Sequence, residues 1–349
     1  MTMKAMDIKI ECISLAALAV MMTVVLPIVL NSFYLNLVAK YTSYAFVAIG
    51  IVLIWGFSGI LSLGQGVFFG LGGYAIAMYL KLAAAPGVLP DFMTWSGVSS
   101  LPAWWVPFHS LVFAIVAGLL IPALIAYVFS YLVFKKRVSG VYFAIVTLAL
   151  ALTFTVLLVG QQSYTGGQNG ITNFSNIAGE DLYGKGVVLT IYYLELLLLF
   201  ALALFALAIR NSRLGNVLLA LRDREDRVRF TGYDTAAVKA FVFMVGALSA
   251  SMGGMFFTIQ AGLISPTVVG VTTSIEMVVF AAVGGRMSVS GAIIGAIAVG
   301  MLEFYLSNNY PESWLLLLGA MFIVVVTVMP SGLMGLVKRL AMRSQEAEA

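Results

Sequence analysis

Ten apolar stretches, separated by charged or turn-forming residues, constrain this chain more than anything else in it. They cover residues 13–30, 41–55, 60–80, 110–134, 141–160, 188–209, 240–259, 268–283, 292–306 and 314–329. A helix needs about 20 mostly apolar residues to cross the hydrocarbon core of a bilayer, and most of these stretches come near that length. Two of them, 41–55 and 268–283, run to only about 15 residues, which predicts tilting, extension by neighbours such as 35–39, or a break within the membrane. An ordinary soluble surface is ruled out, because charged residues make up 10% of the chain against about 25% in a typical soluble domain. The single cysteine, Cys12, excludes an intrachain disulfide scaffold. The reading is an all-α polytopic membrane protein, one transmembrane domain over 1–349 with about eight to ten transmembrane helices.

Lysine and arginine set the direction. With the N-terminus inside, sixteen of the nineteen fall on cytoplasmic segments, and only Lys40, Lys81 and Lys185 are left outside. Positive-inside sorting predicts such an asymmetry, and the opposite orientation would invert it. Both termini are therefore expected in the cytoplasm, which requires an even number of spans. Lys4 and Lys9 ahead of an apolar run could also open a secretory signal peptide. The run is long for one, Pro27 sits late in it, and no small-x-small site follows, so an uncleaved first span is expected.

Two segments are assigned outside. The first, 83–109, combines Pro86, Pro90, Pro102 and Pro107 with Trp95, Trp104 and Trp105. Prolines prevent a continuous helix and tryptophans favour the headgroup zone, so it reads as an interfacial loop or a docking surface for an extracytoplasmic partner. The second, 161–187, carries Thr165-Gly166-Gly167-Gln168-Asn169-Gly170, which is turn chemistry and not a phosphate cradle.

The largest cytoplasmic loop, 210–239, reads as a surface helix. Asp223–Arg227 and Glu225–Arg229 are acid-before-base pairs four residues apart, while Leu214, Val217, Leu218, Leu221 and Val228 recur at helical spacing. Gly232 ends the run. Lipid could hold such a helix, but its balanced charges suit a protein partner better than an anionic membrane surface.

Within the apolar segments, eight glycines crowd the interval from Gly50 to Gly73, and Gly66-x-x-x-Gly70, Gly246-x-x-x-Ala250-x-x-x-Gly254 and Gly291-x-x-x-Gly295 have the spacing that lets helix backbones approach. In Ser62-Leu63-Gly64-Gln65-Gly66 the glycines permit a break, and Gln65 is a buried donor and acceptor that either lines a pathway or bonds between helices. Glu195, Glu276 and Glu303 are acids inside apolar segments, functional candidates by default. Each lies one to two turns from the outer end of its span, where an outer vestibule could hydrate it. Catalysis has little support. The single histidine, His109, stands alone, no cluster has metal-ligand spacing, and there is neither a nucleophile elbow nor a phosphate loop.

At the motif level, Leu61-Ser62-Leu63-Gly64-Gln65-Gly66-Val67-Phe68-Phe69 resembles the glycine-rich signature of branched-chain amino acid (LivM-like) ABC-transporter permeases. Arg222-Asp223, Gly232-Tyr233 and Lys239-Ala240-Phe241 are similar to the ATPase-coupling loop of that family, and Ala282-Val283-Gly284-Gly285-Arg286 with Gly291 and Gly295 also matches. The resemblance runs from about Tyr41 to Val337. Leu89-Pro90-Asp91-Phe92-Met93, Arg227 to Tyr233, Ser274 to Val278 and Pro311-Glu312-Ser313-Trp314-Leu315 look like the urea-transporting branch. Gln168 stands where amino acid permeases usually carry proline.

The resemblance implies an ABC-importer permease in the inner membrane. Its partners would be a second homologous permease, two cytoplasmic ATPases that bind the ATP and Mg, and an extracytoplasmic urea-binding protein. The chain itself would hold no cofactor and no nucleic acid. Arg222, Asp223, Arg227 and Gly232 are expected to act in coupling, and Gln65, Glu276 and Glu303 to line the route. The alternatives are the same machine carrying branched-chain amino acids, a self-sufficient channel or secondary carrier and, last, an intramembrane enzyme.

Overall fold

The computed structural model describes residues 3–328 and 331–336, and helices account for most of it. Eight helices are long and apolar enough to cross a membrane. These are α1 (Ile8–Val29), α2 (Ser32–Phe57), α3 (Gln65–Ala84), α4 (Leu111–Lys135), α5 (Val141–Gly160), α6 (Lys185–Asn211), α8 (Thr235–Ala261) and α10 (Val289–Asn309). Between α6 and α8 lies the charged helix α7 (Arg213–Phe230). Two shorter apolar helices, α9 (Val271–Gly284) and α11 (Trp314–Val328), complete the set. The basic residues Lys338, Arg339 and Arg343, used above to orient the C-terminus, lie outside the described residues.

The core is built on α8, which packs against α2, α3 and α4. Of α2's apolar window 89% is buried, against 17% of α1's. Small residues make this contact possible. Gly254 meets the backbone of Phe69, and Gly246 faces Gly50 and Ile54. On the other side of α2, α9 and α10 close through Gly291 and Gly295, which lie against Gly284 and Phe280. Without a hydrophobic drive between helices in lipid, close backbone packing of this kind holds a bundle together. The outer helices turn large apolar side chains such as Leu120, Val156 and Leu197 outward, as a lipid solvent requires.

Three segments differ from the expected spans. The stretch read as 41–55 is extended by neighbours to Ser32–Phe57, so Lys40 lies inside a spanning helix and not in an outer loop. The stretch read as 60–80 is not helical until Gln65. The last turn of α2 widens into a π-helix over Val52–Phe57, Gly59 adopts φ +73°, and the chain continues as irregular backbone to Gly64. The stretch read as 268–283 is broken. After Gly262 in the left-handed region, Leu263–Ile264 pairs antiparallel with Ile171–Thr172, and a single helical turn, Pro266–Val269, precedes α9. Pro266 forces Ser265 into the extended region and opens that turn.

The basic segments gather at one end of the bundle. Phe134 and Gly140, which flank Lys135 to Arg137, border the same cavity as Arg222 and Lys239, and the Arg286 guanidinium lies 5.5 Å from the Trp55 ring centroid. At the opposite end, Lys81 bonds Asp91 and the carbonyl of Thr172, each at 3.0 Å, so 83–109 folds back onto the body and buries Phe92 and Met93.

Candidate functional site

The irregular segment 58–64 joins two places of chemical interest. At its lower end, the last carbonyls of α2 have no partner within their own helix. Arg222 of α7 supplies one, with Nη1 donating to the Gly56 carbonyl at 2.9 Å and lying 3.1 Å from Met287 Sδ. The Arg222 stem packs on Gly59, where a Cβ would collide with it. At its upper end, Leu63 N–H donates to Thr147 Oγ1 at 3.0 Å, and Gly66 N–H donates to Ser274 Oγ at 3.1 Å. Ser274 precedes the end of α9 at Gly284 by ten residues, about 15 Å of helix rise, or half of a hydrocarbon core about 30 Å thick. The two breaks therefore meet near mid-bundle.

Gln65 stands at this junction, 1% exposed. Its Nε2 reaches Ser62 Oγ at 3.4 Å, and its Oε1 has no hydrogen-bond partner. Ser62, Thr147 and Ser274 are buried around it. None of these four side chains is ionisable.

The charged helix is bent. Arg224 has φ −153° and ψ 85°, which divides α7 into two arms. The predicted Glu225–Arg229 pair forms at 3.3 Å, and Lys239 also binds Glu225. Among the described residues the predicted Asp223–Arg227 pair does not form, because the bend at Arg224 removes the helical spacing. Asp223 bonds its neighbour Arg222 instead, at 3.4 Å. Leu218, Leu221 and Val228 form the buried face, as expected. Asp223, Arg227, Gly232 and Tyr233 are exposed, and so is Phe230. Asn216, Val217, Arg227, Val228 and Tyr233 border a notch of about 380 Å3 between the arms. Gly232 takes φ +89°, a conformation that only glycine adopts without strain.

Glu276 on α9, two residues past Ser274, and Glu303 on α10 are half-buried. They lie near each other and near Tyr41 and Tyr44, and Lys40 is near Glu303. The Lys40 ammonium lies 5.6 Å and 5.7 Å from the Tyr41 and Phe257 ring centroids. Glu195 is separate from this group. It is fully buried, and its Oε2 accepts from Gln260 Nε2 at 3.3 Å. Among the described residues, no group of His, Cys, Asp and Glu side chains could hold a metal ion.

Residues 33–326 match the family described as branched-chain amino acid transport system / permease component. The chain belongs to this family. Among relatives of this permease, the high-affinity branched-chain amino acid transport system permease protein LivM of Salmonella typhimurium is 26% identical, over 87% of this chain and 71% of its own. The LivH protein of Escherichia coli K12 is 24% identical over 86% and 94%. A ribose import permease protein, RbsC of Haemophilus influenzae, is 25% identical over 62% and 67%. No solved structure matches. The chain is thus a permease component of an ABC-type transport family and a multi-pass inner-membrane protein.

Sequence reasoning missed several contacts of the permease. Glu11, fully buried on α1, accepts from Ser290 N at 3.1 Å and from Ser290 Oγ at 2.8 Å at the start of α10. Its other oxygen lies 4.0 Å from Arg210. A carboxylate at a helix N-terminus is favourable there, but Ser290 is 279 residues away in sequence and nothing local announces it. Reading Lys40 as a charge outside the span at 41–55 missed its place within α2 as well. The hydroxyls of Thr147 and Ser274 carried no signal, because serine and threonine are common in spanning helices and usually bond their own backbone.

Proposed function

We propose that this permease is the UrtC-like subunit of an ATP-driven importer that carries urea across the inner membrane. It would act with a second homologous permease, two cytoplasmic ATPases that hold ATP and Mg, and an extracytoplasmic urea-binding protein. In this reading the basic end faces the cytoplasm, and 83–109 and 161–187 face the binding protein. The face of 210–239 that carries Asp223, Arg227 and Gly232 docks an ATPase, the aromatic side chains of Phe230 and Tyr233 adding apolar area. Arg222 has a different part. Though exposed, it reaches the Gly56 carbonyl at the end of α2 and passes motion of α7 to the segment that ends at Gln65. The observation that carries the reading is this one: the same helix exposes one surface and grips the break with the other. Glu276 and Glu303 line the route, with Lys40 near them.

Urea as solute is supported by the side chains at the junction. Taking a full charge out of water without a partner costs far more than taking an amide, and Ser62, Gln65, Thr147 and Ser274 offer hydrogen bonds but no counter-ion. The second reading, branched-chain amino acids, is favoured by the names of the relatives. Uptake of labelled urea by the assembled complex, with and without excess leucine, separates them. Uptake that leucine does not reduce supports urea, and leucine import with no urea import overturns it. Cysteines placed at Arg227 or Phe230 are expected to crosslink to an ATPase, and labelling by lipid probes alone would defeat the docking assignment. Solute flux through the permease reconstituted without ATPases would mark a self-sufficient channel.

A further inference from the structure

The junction of the two breaks is closed in this structure. Gly66 lies against Ser274 and the carbonyls of Val268 and Val269, and Gly64 lies against the Thr147 carbonyl. Three backbone donors in the break are nonetheless paired with side-chain hydroxyls. Thr147 Oγ1 holds Leu63 N–H, Ser274 Oγ holds Gly66 N–H, and Ser62 Oγ lies 3.4 Å from Gly64 N. One polar atom is left over. Gln65 Oε1 is buried at the start of α3 with no partner. A buried acceptor without a donor costs stability, whereas an apolar side chain of the same shape in its place would not. Packing alone does not explain glutamine here.

We infer that Gln65 is the solute-reading group of a closed constriction, its Oε1 accepting an N–H from the solute during passage. As the constriction opens, the hydroxyls of Thr147 and Ser274 release the N–H groups of Leu63 and Gly66, and an oxygen of the solute accepts from them. No bond is made or broken covalently; one set of hydrogen bonds replaces another. A solute that carries an N–H donor and an oxygen acceptor one or two carbons apart satisfies both sides at once, and a solute without an N–H leaves Gln65 unpaired. The inference rests on the permease reading of the chain but not on the choice between urea and amino acids, both of which meet that requirement.

The test uses the whole complex in proteoliposomes, with labelled urea as the probe, or labelled leucine if urea is not imported. Gln65→Met keeps the length of the side chain and removes its polar atoms. The expected result is that ATP hydrolysed per solute imported rises about tenfold, the size of one lost hydrogen bond in the barrier, while the thermal midpoint of the complex stays the same or rises. Gln65→Asn keeps the amide and is expected to recover part of the uptake. An unaltered ratio in the Met variant overturns the inference. So does loss of assembly or thermal stability in step with uptake, because a structural role for Gln65 predicts that and the solute-reading role predicts the reverse. If the unaltered complex imports neither probe, both proposed solutes have failed, and that outcome is seen before any variant is made.

Discussion

The two breaks in the bundle are held in different ways. The one at 58–64 is tied to a charged surface helix through Arg222, and its own backbone has no regular structure. The one at 262–270 is tied to the opposite end, where Leu263–Ile264 forms a two-stranded ladder with Ile171–Thr172, and Gly170 packs directly on the Ile264 backbone. The first has a lever and a left-over polar atom; the second has a clamp. A transport cycle needs one side of a gate to move against a side that stays in place. Under the proposed function, the force from the ATPases arrives at the movable side and the fixed side carries the surface offered to the binding protein.

Three substitutions put that difference under strain. Arg222→Ala removes the bond to Gly56 and the packing on Gly59, so it is expected to lower ATP-dependent uptake by about a hundredfold, in line with loss of charge-assisted bonds at a barrier. The ATPases should still co-purify. If uptake survives, the lever is not one. Gly170→Ala acts on the clamp. Its φ of +70° and its contact with Ile264 leave no room for a Cβ, so a stability loss of about 1–3 kcal/mol is expected in thermal unfolding. The number of ATP molecules hydrolysed per solute should stay as it was; a change in that ratio would show that the outer break moves too. Thr147→Val has the smallest effect. It leaves Leu63 N–H without its partner and is expected to cost about 1 kcal/mol, read as a lower thermal midpoint. An equal loss from Thr153→Val, on the exposed side of the same helix, would remove the distinction.

The spans and the gathering of basic residues at one end were legible because hydropathy and charge are local properties. Gln65 between two glycines announced a break for the same reason. The exact edges were harder. Reading charges as ends of spans placed Lys40 outside, whereas a long side chain with aromatic neighbours is tolerated within α2. The Asp223–Arg227 pair was a sound expectation for a straight helix, and Arg224, an ordinary helix former, gives no sign of the bend. Contacts between distant residues left no mark at all. Arg222 finds Gly56 across 166 positions and Glu11 finds Ser290 across 279. The resemblance of Arg222 and Asp223 to a coupling loop gave no sign that Arg222 would also bond the Gly56 carbonyl.

Glu195 has a consequence for how such a chain is made. Synthesis runs from the N-terminus, so the ribosome releases this carboxylate 65 residues before it releases Gln260, the amide that bonds it in the finished protein. Helix α6 must enter the bilayer among leucines with an acid in its outer half and stay there through the production of α7 and most of α8. Placing an acid in hydrocarbon is costly, and water reaching it from the membrane surface or shelter beside an insertion factor relieves that cost. Assembly order is in this sense written into one side chain, and a nascent chain halted between the two residues is the species that most needs help.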